Sequence, residues 1–241
     1  MRLEPLETDC PIIVEDVTFS TGPYALQGEL AYASDRAHTL AVIAGPHPLL
    51  GGNLHNNVVR ALGDGLAERG MATLRFNYRG VGRSLGPRID FLAHLSQFWA
   101  TSHVPDESDL WRDVQAAVDF LNRSAGSDKP LILIGYSFGC SLLPQVRIES
   151  EPAAYILIAP TVTKHDYEAY LQLPSPVLVI ASEDDFVTSR QQLDSWFERL
   201  PRGKLLVRMP MDNHFFRGHE PWLVETVEGF VEEQTGSGSE V

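Results

Sequence analysis

Ser137 stands in Gly135-Tyr136-Ser137-Phe138-Gly139, directly after the apolar run Leu131-Ile132-Leu133-Ile134. A buried strand that ends in Gly-x-Ser-x-Gly places its serine on a sharp strand-to-helix turn. The flanking glycines leave room for neighbouring backbone, and the hydroxyl projects over the carboxyl edge of the sheet. A serine hydroxyl is a weak nucleophile at neutral pH. It needs a base within hydrogen-bond reach, and the base needs a carboxylate that fixes its tautomer. Ser182-Glu183-Asp184-Asp185-Phe186-Val187 supplies carboxylates just past an apolar run, and Met211-Asp212-Asn213-His214-Phe215-Phe216 supplies a histidine past the last one. Taken singly, Asp184 reads as a solvated loop carboxylate and His214 as a surface histidine. Ser137, Asp184 and His214 together, in that order and each at a predicted strand end, form a candidate catalytic set.

These groups need a frame. Ile12 to Phe19 and Ala25 to Tyr32 predict an antiparallel hairpin across Thr21-Gly22-Pro23, at the edge of a sheet. Buried strands are predicted over Thr39 to Ala44, Met71 to Phe76, Leu131 to Ile134, Ala154 to Ala159, Val177 to Ala181 and Leu205 to Met209. Helical spacing links Val58, Val59, Leu62 and Leu66, with Gly70 as the stop. It recurs in Leu110, Val114, Ala117, Val118 and Leu121 from near Asp106, in Leu193, Trp196, Phe197 and Leu200 from Thr188 or Ser189, and in Leu223, Val227, Phe230 and Val231 from near Pro221. Pro144 falls inside the helix expected after Ser137, where it removes one backbone bond at a cost of ~3 kcal/mol and predicts a kink. Strands alternating with helices give an α/β fold: a mostly parallel central sheet with helices on both faces. Functional groups of such a sheet collect beyond the carboxyl ends of its strands.

The 241 residues are 44% hydrophobic and 21% charged, which suits a single domain over 1–234 followed by a Gly/Ser-rich, disordered tail over 235–241. A net charge of −13 argues against nucleic acid and anionic membrane as partners. The two cysteines, Cys10 and Cys140, have neither metal-ligand nor redox spacing, and Cys140 reads as a small core residue. The N-terminal stretch lacks the apolar core of a signal peptide, so a soluble cytoplasmic protein, monomeric or homodimeric, is expected.

The chain resembles the α/β-hydrolase superfamily over almost its whole length. The resemblance is carried by Gly-x-Ser-Phe-Gly, by Pro46-His47-Pro48-Leu49-Leu50-Gly51-Gly52, by Leu74-Arg75-Phe76-Asn77-Tyr78-Arg79-Gly80-Val81-Gly82-Arg83-Ser84, and by Asp212-Asn213-His214-Phe215-Phe216. Within the superfamily these motifs are similar to those of small serine hydrolases related to dienelactone-hydrolase-like and short-chain esterase-like proteins. The resemblance implies Ser137 as nucleophile, His214 as general base and Asp184 as orienting acid. Asp184 lies three residues before Val187, where the family acid precedes a hydrophobic position, and Asp185 is the alternative. One oxyanion-hole donor is the N–H of Phe138. For the other, Pro46 and Pro48 have no N–H, which leaves His47 and Leu49, and the family position matches the His47 backbone.

In many relatives a short link with a Gly-Glu-x-x-Asp run follows Gly-x-Gly-x-Ser. Here 86–105 is longer and carries Phe91, Leu92, Leu95, Phe98 and Trp99. A small lid from about Ile89 to Val104 is expected over Ser137, against the plainer reading of an amphipathic surface helix. Leu49, Tyr136, Phe98, Trp99 and Phe215 are the expected substrate-pocket residues. Gly80-Val81-Gly82 lacks the third glycine and the acidic residue of a dinucleotide fingerprint, and His47, His55, His94, His103 and His165 show no paired metal-ligand spacing. No metal and no cofactor are expected. The expected reaction is hydrolysis of a carboxylic ester or thioester of a small-molecule acyl substrate through an acyl-enzyme. A peptidase or amidase with the same triad, or a non-hydrolytic cyclase or binding scaffold, are the alternatives.

Overall fold

The computed structural model describes residues 11–33, 37–88, 90–210 and 213–236. Cys10, Ile89, Met211, Asp212 and the tail residues 237–241, on all of which expectations were placed, lie outside them. Strands β1 (Ile12–Thr21) and β2 (Tyr24–Ala33) pair antiparallel from Ile12↔Ala33 to Thr21↔Tyr24. Gly22 takes φ +54° in the connection, a conformation open to glycine. β3 (Thr39–Ala44), β4 (Met71–Phe76), β5 (Leu131–Tyr136), β6 (Ala154–Ile158), β7 (Val177–Ser182) and β8 (Lys204–Met209) complete an eight-stranded sheet in the order β1-β2-β4-β3-β5-β6-β7-β8. Every pair from β4 to β8 across that order is parallel, and β2 meets β4 antiparallel. β3 to β7 are buried along their whole length, which is why they read as unbroken apolar runs rather than alternating ones.

Helices cover both faces. α1 (Asn57–Glu68) and α6 (Glu220–Thr235) bury Val58, Leu62, Leu66, Leu223 and Val227 against Ile43, Ile134 and Ile156. On the other face α3 (Trp111–Ala125) and α5 (Arg190–Arg199) set Val114, Val118, Leu121, Leu193 and Trp196 against Leu74, Leu133 and Val179. Asn56 caps α1 through Oδ1, and Ser189 with Gln192 forms a capping box on α5. α6 includes Thr235, the first residue of the expected tail, and stops at Gly236 with φ +67°. Among the described residues no helix is long and apolar enough to cross a membrane.

Pro144 does more than kink its helix. α4 (Gly139–Leu142) lasts one turn, a 3₁₀ turn over Leu143–Gln145 follows, and Val146 is extended. The proline cannot donate to the carbonyl of Cys140, four residues back, and Tyr170 Oη donates to that oxygen instead at 2.6 Å. Burial pushes the Cys140 thiol up, out of the range of a reactive cysteine.

The segment expected as a lid contains α2 (Phe91–Thr101), capped by Asp90 Oδ1 on the amides of Leu92 and Ala93. Leu92 and Trp99 on it are 83% and 72% exposed, so this helix is not a buried core element.

Candidate active site

Ser137 adopts φ +54° between β5 and α4, a left-handed conformation that costs a non-glycine residue about 1–2 kcal/mol. Its neighbours explain why the turn tolerates it. A Cβ on Gly139 would stand 2.1 Å from the carbonyl oxygen of Ala44, and one on Gly135 would stand 2.6 Å from the Cys140 amide nitrogen. Only glycine lets the serine turn press against the end of β3. The Ser137 N–H donates to Ile158 O at 2.8 Å, and the Cys140 N–H donates to Ser137 O at 3.1 Å, so the turn is anchored on both sides.

His214 Nε2 lies 3.1 Å from Ser137 Oγ. Its Nδ1 lies 2.7 Å from Asp185 Oδ2, with both side chains only 6% exposed. An ionised carboxylate only accepts, so Nδ1 carries the hydrogen and Nε2 presents a lone pair to the serine hydroxyl. The loop that presents His214 is fixed locally. Tyr136 Oη donates to the His214 carbonyl at 3.1 Å, Asn213 Oδ1 accepts from the Phe215 amide, and Phe216, with φ +51°, is fully buried beneath.

The carboxylate is not the expected one. Asp184 is exposed, and Asp185 faces the imidazole. Asp185 Oδ1 accepts the Val187 N–H at 2.8 Å, an Asx turn that aims the other oxygen at His214. A loop has no periodicity to separate two adjacent aspartates, and counting back from Val187 picks the one that does not contact His214.

His47 and Leu49 divide their roles. The Leu49 N–H donates to His47 Nδ1 at 3.1 Å and is consumed there. His47 Nε2 therefore carries the hydrogen and donates to Glu107 Oε2 at 3.0 Å. Among the described residues, the backbone N–H groups of His47 and Phe138 have no acceptor. The His47 and Phe138 rings meet at 4.7 Å, and Tyr78 Oη ties the start of this loop down by donating to Gly45 O at 2.9 Å. A Cβ on Gly52 would fall 1.9 Å from Pro46 O, so the loop doubles back on its own backbone.

Glu107 is the buried group that the sequence reading passed over. A lone glutamate at a helix entrance carries no pattern that marks it. Burial pushes its carboxyl up, but donors at His47, the Val104 amide and His103 outweigh that and hold it below its ordinary value. His165 closes the cluster. Its ring packs 5.3 Å from Phe138 and 5.1 Å from His103, and burial pushes its imidazole down to about 4.

Of the expected pocket residues, Phe98 is half-buried with its ring 5.2 Å from His47, and the exposed Trp99 packs on Phe98 at 6.0 Å. Phe215 is 45% exposed beside His214 at 5.7 Å. Tyr136 and Leu49 are corrections: both are buried, the first spending its hydroxyl on the His214 carbonyl and the second its amide on His47, so they support the site rather than wall an open pocket. Phe186, not anticipated, is 72% exposed, with its ring 5.2 Å from His214 and 5.8 Å from Phe215.

The Asn77-to-Ser84 loop is structural. Asn77 Oδ1 accepts from the Leu54 amide, Ser84 Oγ donates to Asn77 O, and Arg79 holds the fully buried Asp113 through its amide, Nε and Nη2.

The family model described as serine aminopeptidase, S33, matches residues 47–175. An uncharacterized protein of Rickettsia prowazekii (strain Madrid E) is 25% identical over 201 residues, 80% of this chain and 78% of the relative. A solved alpha-beta serine hydrolase homologue from Coxiella burnetii is 26% identical with a TM-score of 0.72, covering 91% of this chain and 96% of that one. A putative alpha/beta hydrolase of unknown function from Agrobacterium tumefaciens is 27% identical with a TM-score of 0.76, covering 93% and 98%.

Proposed function

This chain belongs to the serine aminopeptidase S33 family of the α/β-hydrolase superfamily, and from that premise we propose that it hydrolyses carboxylic esters or thioesters through an acyl-enzyme on Ser137. The observation that carries the reading is the hydrogen-bonded line from Asp185 through His214 to Ser137, with contacts of 2.7 and 3.1 Å. Ser137 Oγ gives its proton to His214 Nε2 as it attacks the substrate carbonyl carbon. Asp185 holds Nδ1–H and stabilises the imidazolium. The oxygen of the tetrahedral intermediate takes hydrogen bonds from the His47 and Phe138 amides, each worth ~3 kcal/mol in the transition state. Collapse breaks the bond to the alcohol or thiol, which leaves with the proton from His214. Water then repeats the sequence in reverse roles and frees the acid.

The flanking aromatics support an apolar acyl or aryl group. Phe98 and Trp99 stand on the His47 side of Ser137, Phe186 and Phe215 on the His214 side. In this reading α2 is a lid over the first of these walls. A panel of p-nitrophenyl acyl esters, with matched p-nitroanilides, tests the proposal. Ester turnover that exceeds anilide turnover and vanishes in Ser137→Ala supports it. Anilide turnover in excess, lost in the same variant, replaces the esterase reading with an amidase or peptidase using the same groups.

A further inference from the structure

His103 and His165 lie far apart in sequence, yet the fold gathers a donor set from their two segments. His103 Nδ1 lies 2.5 Å from Glu107 Oε1, and His165 Nε2, from the segment after β6, lies 3.8 Å from that same oxygen. The ligand atoms of the three residues all fall within 4.8 Å of one another. His165 Nε2 is buried and has no hydrogen-bond partner, while its Nδ1 sits 2.9 Å from Thr161 Oγ1. A polar nitrogen buried without a partner, facing a carboxylate, is a cost that a bound cation relieves.

We propose that His103 Nδ1, Glu107 Oε1 and His165 Nε2 form a binding site for a zinc-type divalent transition-metal ion. Two imidazole nitrogens with one carboxylate oxygen suit Zn²⁺ and its neighbours, whereas Mg²⁺ and Ca²⁺ want oxygen ligands throughout. Three protein ligands leave a fourth, tetrahedral position for water. Bonds of about 2.0–2.2 Å place tetrahedral ligands about 3.4 Å apart, so the ion opens the His103–Glu107 contact and draws His165 inward, each by less than about 1 Å.

The outer partners are already in place. Glu107 Oε2 stays on His47 Nε2 and the Val104 amide, and the Nδ1–H of the liganding His165 tautomer donates to Thr161 Oγ1. His103 is half-exposed and gives the ion its way in. The site lies behind His47 and Phe138, apart from the Ser137–His214 contact, and holds whether or not the chain is an esterase.

The test uses the full, tag-free chain, stripped with chelator and titrated calorimetrically with Zn²⁺ and spectroscopically with Co²⁺. One equivalent of each, the visible bands of four-coordinate Co²⁺, and a thermal midpoint raised by Zn²⁺ are expected. His103→Ala, at a half-exposed position, should fold normally, weaken binding at least ~10-fold and abolish the Zn²⁺ shift; His165→Ala should weaken binding likewise. No stoichiometric uptake, or uptake unchanged in either variant, overturns the site.

Discussion

Asp185 Oδ2 and His214 Nδ1 stand 2.7 Å apart, and the next-door Asp184 points to solvent. The two neighbouring carboxylates thus differ in what they touch. Asp185→Asn keeps the shape but no longer fixes the Nδ1–H tautomer, and kcat should fall on the order of 10³–10⁴-fold. Asp184→Asn should leave kcat/KM within about twofold. Steady-state kinetics on one p-nitrophenyl ester compares them, and equal losses would remove Asp185 from the assigned role.

Tyr170 Oη serves the carbonyl that Pro144 strands at Cys140. Tyr170→Phe keeps the ring stacked 5.6 Å from Tyr167 and against Trp196, but leaves a buried carbonyl unpartnered. It should destabilise the fold by about 1–3 kcal/mol. Urea unfolding reads this directly, and an unchanged midpoint would show that another donor takes over.

Gly139 touches backbone rather than a movable side chain. Gly139→Ala forces the serine turn away from Ala44, at about 1–3 kcal/mol for an overpacked site. Esterase activity should be lost beyond what the stability change accounts for, because the Phe138 amide shifts with the turn. A variant with full activity and a wild-type melting temperature would contradict the account of the elbow.

Trp99 and Phe98 test the lid. Trp99 is exposed, so Phe98→Ser with Trp99→Ser should cost little stability beyond the half-buried Phe98 ring, while shifting the preferred acyl chain length. Chain-length profiles against melting temperature separate the two readings. A lowered melting temperature with an unchanged profile would make α2 a packing helix.

The sheet was legible because its buried strands are short apolar runs bounded by turn residues, and the meeting of Ser137 with His214 because each follows such a run. What escaped the sequence depends on side-chain direction in loops. An Asx turn to Val187 decides between Asp184 and Asp185, and no hydrophobic period reports it. Tyr136 looked like a pocket wall because it borders the nucleophile, yet strand alternation turns its ring under His214. His103 and Glu107 stand four residues apart, but no spacing ties His165 to them, since the loop after β6 brings it to the other two. Pro144 announced a disruption, but how far the helix would continue depended on Tyr170, 26 residues later, being there to take over the freed carbonyl.

The nucleophile itself is open to one direct measurement. Incubation with a fluorophosphonate followed by intact-mass analysis and peptide mapping should give a single adduct on Ser137, absent in Ser137→Ala and forming far more slowly in His214→Ala. A wild-type chain that takes up no label, or a Ser137→Ala chain labelled at the same rate, would contradict it.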